Sequence, residues 1–367
     1  SEMSYRMDAI DDNWVAPSGP NLKKFEYSLA RIVGRKYSCA VSSGTAAIHL
    51  ALRALEVSQS DRVYVSDLTF VASLQPILYQ NAVPVLIDSE PLSWNMSPKS
   101  LRRALHKDQK LGRLPKAIIV VHIYGQVADM QCITTIAAEY DVPVIEDAAE
   151  SLGAQVSYST DYNKPILSTY SFNGNKIITT SSGGAIATDD ETLRNKIEKL
   201  ATQGRDPAEH YQHSTIAYNY RMSNLLAGIG IGQLEVLQSR VKRRIEIFNR
   251  YKATFSEYAG FCFQQDSLNT TGNRWLSVIK FDPKIINVHP YRVLKELRSF
   301  GIETRPSWKP MHLQPLCSEF DFIPHDETHV VSSNLFFTGL CLPSGSSMSN
   351  DDVDYVIGKT LKAIIGD

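Results

Sequence analysis

Short apolar segments alternate with longer amphipathic ones between Ser43 and Thr188, and this alternation constrains the fold more than any other feature of the sequence. Strands that are separated by helices pair in parallel, and a parallel sheet needs helices on both of its faces. The apolar segments are rich in Val and Ile, as buried strands usually are. We predict strands at Arg62–Ser66, Val83–Asp88, Lys116–His122, Val142–Asp147, Ser168–Phe172 and Gly184–Thr188.

The sequence after Asn224 predicts a change of architecture. Residues 224 to 258 have apolar positions at helical spacing and predict one long helix. They lead into a predicted strand at Arg274–Asp282, a helix at Pro290–Phe300, a strand at Ile302–Arg305 and a helix from Asp351. We therefore predict an α/β protein with a large domain at residues 1–235, built on a mostly parallel sheet, and a smaller α+β domain at residues 236–367.

Charge and cysteine patterns argue against several classes of protein. The 38 basic and 39 acidic residues are spread evenly and leave a net charge of −1, so we expect no nucleic-acid or membrane surface. The basic triplet Lys242–Arg244 is interpreted as a solvated helix face. No apolar run reaches membrane-spanning length, and the charged N-terminal residues do not resemble a signal peptide. The five cysteines lack the spacing of a metal site or a disulfide framework, so we expect a cytoplasmic protein without a metal.

Three polar segments are candidates for a binding site. Ser42–Leu50 is a small-residue turn that opens an apolar helix, so it could bind a phosphate or act as an ordinary N-cap. Val142–Glu150 ends in carboxylates that could pair with a heterocyclic cation or cap the next helix. Ser171–Lys176 ends in a lysine between apolar segments, so its amine could be desolvated and nucleophilic, or solvated like most lysines. Together, a phosphate site, a strand-end carboxylate and a downstream lysine are what pyridoxal phosphate requires.

The order of these segments resembles that of the sugar aminotransferases of the DegT/DnrJ/StrS type, which are fold type I pyridoxal-phosphate enzymes. The resemblance runs from Asn13–Pro17 to Leu342–Gly345 and implies pyridoxal 5′-phosphate as the cofactor. It implies that Lys176 joins the cofactor covalently and moves protons during catalysis. Asn219 is similar to a residue that reaches the phosphate of the neighbouring subunit, which implies a homodimer. The other cofactor contacts that the resemblance implies are Gly44, Thr45 and Ser171 at the phosphate, Phe70 on the ring face, Asp147 at the ring nitrogen and Glu150 near the ring hydroxyl.

The resemblance also implies transamination from L-glutamate to a keto-sugar attached to a nucleotide. Residues 173–180, 219–224, 273–277, 303–312 and 341–348 are similar to those of enzymes that aminate a UDP-linked 4-keto-6-deoxy-N-acetylhexosamine on the way to bacillosamine. Arginine, lysine and histidine side chains could reach a diphosphate or a sugar hydroxyl, and tryptophan could stack on a ring, although packing or solvation would explain each residue equally well. The substrate contacts that we expect are Trp14, Arg305, Trp308, Lys309 and His312.

Three alternative functions remain open at this stage. The acceptor could be another nucleotide-linked 3- or 4-keto sugar, because the cofactor motifs are shared among such enzymes. A sugar dehydratase of the same fold is a second alternative, but its relatives have histidine at the position of Lys176. A non-catalytic binding or regulatory protein is the third, and an intact set of Lys176, Asp147 and Ser171 argues against it.

Overall fold

The computed structural model describes residues 2–158 and 162–366. Four short 3₁₀ turns lie in this part of the chain, at Val71–Ser73, Ile123–Gly125, Met311–Leu313 and Pro315–Cys317. The helices are α1 (Glu2–Asp11), α2 (Pro20–Ile32), α3 (Gly44–Ala54), α4 (Gln75–Tyr79), α5 (Pro98–Lys110), α6 (Met130–Ala138), α7 (Glu191–Ala201), α8 (Asn224–Glu235), α9 (Leu237–Phe255), α10 (Pro290–Ser299), α11 (Val331–Thr338) and α12 (Asn350–Ile365). The strands are β1 (Tyr37–Val41), β2 (Arg62–Ser66), β3 (Val83–Ile87), β4 (Ala117–Val121), β5 (Val144–Asp147), β6 (Gln155–Val156), β7 (Leu167–Ser171), β8 (Gly184–Thr188), β9 (Phe261–Phe263), β10 (Thr270–Thr271), β11 (Ser277–Phe281), β12 (Arg305–Pro306), β13 (Asp321–Ile323) and β14 (Gly339–Leu342).

A large sheet forms the centre of the protein, and the described strands in it follow the order β1-β8-β7-β5-β4-β2-β3-β13. The pairs from β7 to β13 are parallel, whereas β8 pairs antiparallel with both β7 and β1. All six predicted strands are present in this sheet, with ends that shift by at most two residues. The prediction of an α/β protein with a mostly parallel sheet is therefore confirmed.

Both faces of the large sheet are buried, which explains why its strands are continuously apolar. Along β2, Val63 and Val65 pack into the core beneath α3, while Tyr64 packs on the opposite face with residues of α5 and α6. Every residue of β4 is buried. Because consecutive side chains of a strand point to opposite faces, a strand covered on both sides needs apolar residues at every position. Because these strands run parallel, their carboxyl ends all lie at one edge of the sheet, where polar residues follow them.

A second sheet is formed by the C-terminal part of the chain, with the order β12-β14-β11-β9 and antiparallel pairing. Helices α9, α10 and α12 pack on it around a separate apolar core. The prediction of one helix from residue 224 to 258 is wrong, because α8 ends and α9 begins at Val236, where φ is −105° and ψ is 3°. The division of the domains at residue 235 stays a prediction. None of the described helices is long and apolar enough to cross a membrane.

Asp88 joins the two halves of the chain at the end of β3. Its carboxylate is fully buried and accepts backbone N–H groups of His325 at 2.9 Å, Val331 at 3.2 Å and Ser332 at 3.1 Å. β13 pairs in parallel with β3 just before this point. The segment that follows β13 is thus held against the large sheet by hydrogen bonds to one buried charge, which are among the stronger kind.

Replacing this carboxylate should destabilise the protein. In Asp88→Asn an amide NH₂ replaces one acceptor oxygen and faces buried N–H donors, which should lower the free energy of unfolding by about 2–4 kcal/mol. Urea denaturation of the cofactor-free protein measures this change. Glu327→Gln, at an exposed position of the same segment, is the matched control and should have almost no effect. Equal effects of the two substitutions would contradict the role given to Asp88.

Candidate active site

A cleft of about 900 Å³ lies where the carboxyl ends of the parallel strands face the second sheet. The start of α3, the ends of β5 and β7 and the turn that follows β2 contribute to its wall from the large sheet. Residues 303–308, residues 341–348 and one side chain of α9 line it from the opposite side. Ligands of open α/β sheets bind at this edge, so the cleft is the candidate active site.

The start of α3 forms an anion-binding corner with the end of β7. Ser43 caps the helix, and its hydroxyl accepts the Ala46 N–H at 3.0 Å. The first N–H groups of a helix have no acceptor within the helix, and here they belong to Gly44 and Thr45. A Cβ atom on Gly44 would lie 2.8 Å from the Cβ of Ser171, so only glycine leaves this corner open. The corner suits a phosphate, because free N–H groups and the positive end of the helix dipole point into it.

Asp147 is a buried carboxylate at the end of β5, only 4% exposed. It accepts the Ser73 hydroxyl at 2.6 Å and the Ala149 N–H at 3.2 Å, but it forms no ion pair among the described residues. Burial raises the pKa of Asp147 above its usual range, although these two hydrogen bonds and the charge of Lys176 oppose the shift. A buried acid without a paired cation suits a ligand that brings a positive charge, such as a protonated pyridine ring.

Lys176 projects into the cleft from the turn that follows β7. Its Nζ lies 3.6 Å from Oε1 of Glu150 and 4.3 Å from the ring centroid of Trp275. Glu150 is also buried, and its Oε2 accepts the Tyr124 N–H at 2.6 Å. Burial raises the pKa of Glu150 to about 7, while the nearby charge of Lys176 opposes this shift. The Trp275 indole N–H donates to the carbonyl of Asn175 at 2.8 Å, which fixes the ring beside the amine.

Most of the residues predicted to contact a cofactor come together in this cleft. Phe70 is 59% exposed at its edge, with its ring centroid 5.9 Å from that of Trp308. Asn219 is not among the lining residues and forms an isolated antiparallel bridge with Thr202 at the end of α7. A contact from Asn219 to a cofactor would have to be made in a neighbouring subunit. The predicted residues that line the cleft are Gly44, Thr45, Phe70, Asp147, Glu150, Ser171 and Lys176.

The predicted substrate contacts divide into two groups. Arg305 and Trp308 line the cleft, and the Arg305 side chain is 75% exposed and paired with Glu303. Trp14, Lys309 and His312 are not among the lining residues. The His312 ring lies between Asp67 at 2.7 Å and the Ser333 hydroxyl at 2.8 Å, so a contact with sugar would require one of these hydrogen bonds to break.

Ser73, Trp275 and Arg244 are among the lining residues that were not named as site residues from the sequence. The interpretation of residues 242–244 as a solvated helix face is wrong for Arg244, because Arg244 is half-buried and lines the cleft. Its spacing could have revealed this, since it lies three residues after Val241 and three before Ile247, both buried positions of α9. Trp275 lies in the segment 273–277, whose resemblance was noted although this side chain was not singled out. Ser73 has no such signal, because it lies in a 3₁₀ turn of three residues.

Comparisons with known proteins place this chain among the sugar aminotransferases of one family. A sequence profile of the DegT/DnrJ/EryC1/StrS aminotransferase family matches residues 1–361. EpsN of Bacillus subtilis (strain 168), named as a candidate pyridoxal phosphate-dependent aminotransferase, is 49% identical over 356 residues that cover 97% of this chain and 91% of that protein. GDP-perosamine synthase of Escherichia coli O157:H7 is 34% identical over 97% of this chain and 93% of its own. The crystal structure of a DegT DnrJ EryC1 StrS aminotransferase from Brucella abortus has a TM-score of 0.89 and 25% identity, covering 98% of this chain and 94% of that one.

The raised pKa of Glu150 predicts a pH-dependent cost in the cofactor-free protein. Between its usual pKa of 4.5 and about 7, the folded protein keeps a proton that the unfolded chain releases. The stability of the wild type should therefore fall, relative to Glu150→Gln, as the pH rises through this window, by on the order of 3 kcal/mol in total. Urea denaturation at about pH 5 and about pH 8 measures the difference. Glu319→Gln, at an exposed position, is the control. If the stability of Glu150→Gln relative to the wild type did not change with pH, the raised pKa of Glu150 would be contradicted.

Proposed function

We propose a specific reaction for this chain, which belongs to the DegT/DnrJ/EryC1/StrS aminotransferase family. The enzyme is a pyridoxal-phosphate-dependent sugar aminotransferase. The proposed reaction transfers the amino group of L-glutamate to the C4 ketone of a UDP-linked 4-keto-6-deoxy-N-acetylhexosamine, which gives a UDP-4-amino sugar for surface glycan or glycoprotein biosynthesis. The observation that carries the proposal is one cleft with Lys176, the buried Asp147 carboxylate and the anion-binding corner at Gly44.

The proposed cofactor contacts follow from the chemistry of each lining group. The N–H groups of Gly44 and Thr45 and the Ser171 hydroxyl would hold the phosphate. Asp147 would pair with the ring nitrogen, and Glu150 would lie at the ring hydroxyl. The exposed Phe70 side chain could cover one face of the ring, and Asn219 would reach the phosphate of a second subunit, so we also propose a homodimer.

When bound, pyridoxal phosphate withdraws electrons from the carbon that loses its proton. Asp147 supports this by stabilising a proton on the ring nitrogen, because its buried carboxylate gains a charge partner. Lys176 would join the cofactor covalently, leave it when an amino substrate arrives, and then act as the base that removes the substrate proton and the acid that returns it. Glu150 at 3.6 Å and the Trp275 ring at 4.3 Å confine the amine of Lys176 to the floor of the cleft.

The acceptor sugar is the finer part of the proposal. An exposed Arg305 at the cleft edge could bind a diphosphate, and Trp308 could stack on a ring of the acceptor. The UDP group and the acetamido substituent are proposed from the sequence resemblance of residues 173–180, 219–224, 273–277, 303–312 and 341–348. A second candidate is another nucleotide-linked 3- or 4-keto sugar, and the 34% identity with a GDP-perosamine synthase favours including GDP-linked acceptors among these.

A substrate panel tests this proposal directly. The enzyme loaded with pyridoxal phosphate is incubated with L-glutamate and with UDP-, dTDP- or GDP-linked 4-keto sugars, and 2-oxoglutarate and the amino sugar are quantified. We expect the highest kcat/KM with the UDP-linked 4-keto-6-deoxy-N-acetylhexosamine. Lys176→Ala should lower turnover by at least about 10³-fold, because it removes both the covalent attachment and the acid-base group. Lys110→Ala, at an exposed position of α5, is the matched control. A GDP- or dTDP-linked sugar as the preferred acceptor would overturn the UDP assignment.

Asp147→Asn tests the role of the ring-nitrogen partner separately. The amide cannot carry the negative charge that keeps the nitrogen protonated, so kcat should fall by about 10²- to 10³-fold while the cofactor remains bound. Stopped-flow absorbance of the glutamate half-reaction measures the rate, and the cofactor spectrum reports occupancy. Asp141→Asn, at an exposed position six residues earlier, is the control. An unchanged rate in Asp147→Asn would show that this residue has another role.

A further inference from the structure

Arg244 is a cation in the wall of the cleft, on the side opposite the large sheet. It belongs to α9, where the buried residues Val241, Ile247 and Phe248 face the protein core. Arg244 lies within one helical turn of each of them and therefore on the same side of the helix. The side chain consequently reaches the cleft lining beside Trp275 and Ser344 instead of extending into solvent.

The hydrogen bonds of Arg244 leave its charge uncompensated. One terminal nitrogen, Nη1, donates to the carbonyl of Trp275 and, at 3.4 Å, to the hydroxyl of Ser344, and both acceptors are neutral. The Nε atom is buried and has no acceptor among the described residues. Burial, followed by repulsion from Arg240, lowers the pKa of Arg244 to about 10, and no acid contributes to this shift. The guanidinium is thus held in the wall without a counter-ion from the described part of the chain.

Two other partly buried arginines of this protein have a carboxylate partner, whereas Arg53 and Arg240 have none among the described residues. Arg221 pairs with Glu26 at 2.6 Å, and Arg274 pairs with Asp266 at 2.7 Å. Removing a guanidinium from water without a partner is costly, so a position such as that of Arg244 is expected where a ligand brings the negative charge. The other terminal nitrogen, Nη2, has no hydrogen-bond partner among the described residues and is not buried, so it can donate to a carboxylate oxygen of a ligand.

The position of Arg244 relative to the reactive amine indicates which substrate supplies that carboxylate. Trp275 contacts both groups, since its carbonyl accepts from Arg244 and its ring lies 4.3 Å from Nζ of Lys176. An amino acid that reacts at Lys176 has its carboxylates only a few bonds from the reacting nitrogen, so they stay near this wall. The diphosphate of a nucleotide sugar extends farther, and the largely exposed Arg305 offers it a charge at the cleft edge.

We infer that Arg244 binds a carboxylate of the amino donor, and this assignment rests on the proposed transamination. The α-carboxylate and the side-chain carboxylate of glutamate have the same chemistry, and both are within the scope of the assignment. Arg244 is in this view a specificity residue for the first half-reaction. It has no part in binding the sugar nucleotide in the second.

Half-reaction kinetics test this assignment. In Arg244→Met, kcat/KM for the glutamate half-reaction should fall by about 10- to 100-fold, because a charge-assisted hydrogen bond is lost. The second half-reaction, measured by mixing the aminated enzyme with the keto sugar, should keep its kcat/KM within about threefold. Arg244→Lys, which keeps the charge but not the fork, should lie between. Lys242→Met removes an exposed charge from the same helix and should change neither half-reaction.

L-Alanine as donor separates the two carboxylates. If Arg244 binds the α-carboxylate, the variant loses the same factor with alanine and with glutamate. If it binds the side-chain carboxylate, the preference for glutamate over alanine disappears. Both results support the assignment, whereas an unchanged kcat/KM with both donors overturns it. A wild type that yields no 2-oxoglutarate would instead contradict the proposed function and leave the binding measurement below as the test of Arg244.

Binding without turnover provides the second readout. Glutarate, a dicarboxylate with no amino group, is titrated by calorimetry into the enzyme loaded with pyridoxal phosphate, and UDP is titrated in parallel. Arg244→Met should weaken glutarate binding by at least about tenfold and leave UDP binding unchanged. Weaker UDP binding with unchanged glutarate binding would overturn the assignment in favour of a diphosphate contact. Circular dichroism and the Tm of each variant identify misfolding, in which case Arg244→Lys is the variant that decides.

Discussion

The burial of the Asp147 carboxylate at the end of a central strand is the constraint on which the site depends. In the described residues this charge has hydrogen bonds but no ion-pair partner, and the more distant charge of Lys176 offsets only part of the cost of its burial. The packing of the large sheet offsets this unfavourable free energy, because β5 is covered on both faces and holds Asp147 in place. Ser73 and the Ala149 N–H fix the direction of the carboxylate before any ligand arrives. The carboxylate is therefore preorganised for a positively charged group, as the proposed contact with the cofactor ring requires.

The charges of the cleft are arranged by side. Asp147 and Glu150 lie on the large-sheet side, together with Lys176 on the segment between β7 and β8. Arg244 lies on the α9 side. An amino acid carries one positive and at least one negative group. The acidic groups on one side of the cleft and the guanidinium on the other are complementary to these two charges. The anion-binding corner at Gly44 adds a third region, whose charge comes from a helix terminus and not from a side chain. In the proposed assignment, one cleft thus offers distinct regions to the phosphate, the ring and the amino substrate.

Features that depend on local burial could be predicted from the sequence, and those that depend on distant partners could not. The strands of the large sheet were recognisable because two-sided burial requires runs such as Val83–Ile87. The break at Val236 was not, because the residues on either side of it keep helical spacing. The pairing of β13 with β3 joins residues far apart in the chain. Lys176 and Asp147 were identified through the resemblance of whole motifs, whereas Arg244 was misjudged because its charge was weighed without its position on the helix.

The return of β13 to the large sheet has a mechanical consequence for the cleft. The chain crosses to the second sheet through α9 and comes back at β13, where the Asp88 carboxylate holds the segment that continues into α11. A lobe attached through a single linker can swing open, but one that is anchored at two separated points resists such rotation. Wide hinge opening would have to bend the chain at several linkers at once, on both sides of the segment that β13 and Asp88 hold to the large sheet. Substrate exchange is therefore expected to proceed through the mouth of a slot of nearly constant width, with small adjustments of side chains such as Phe70 and Arg305.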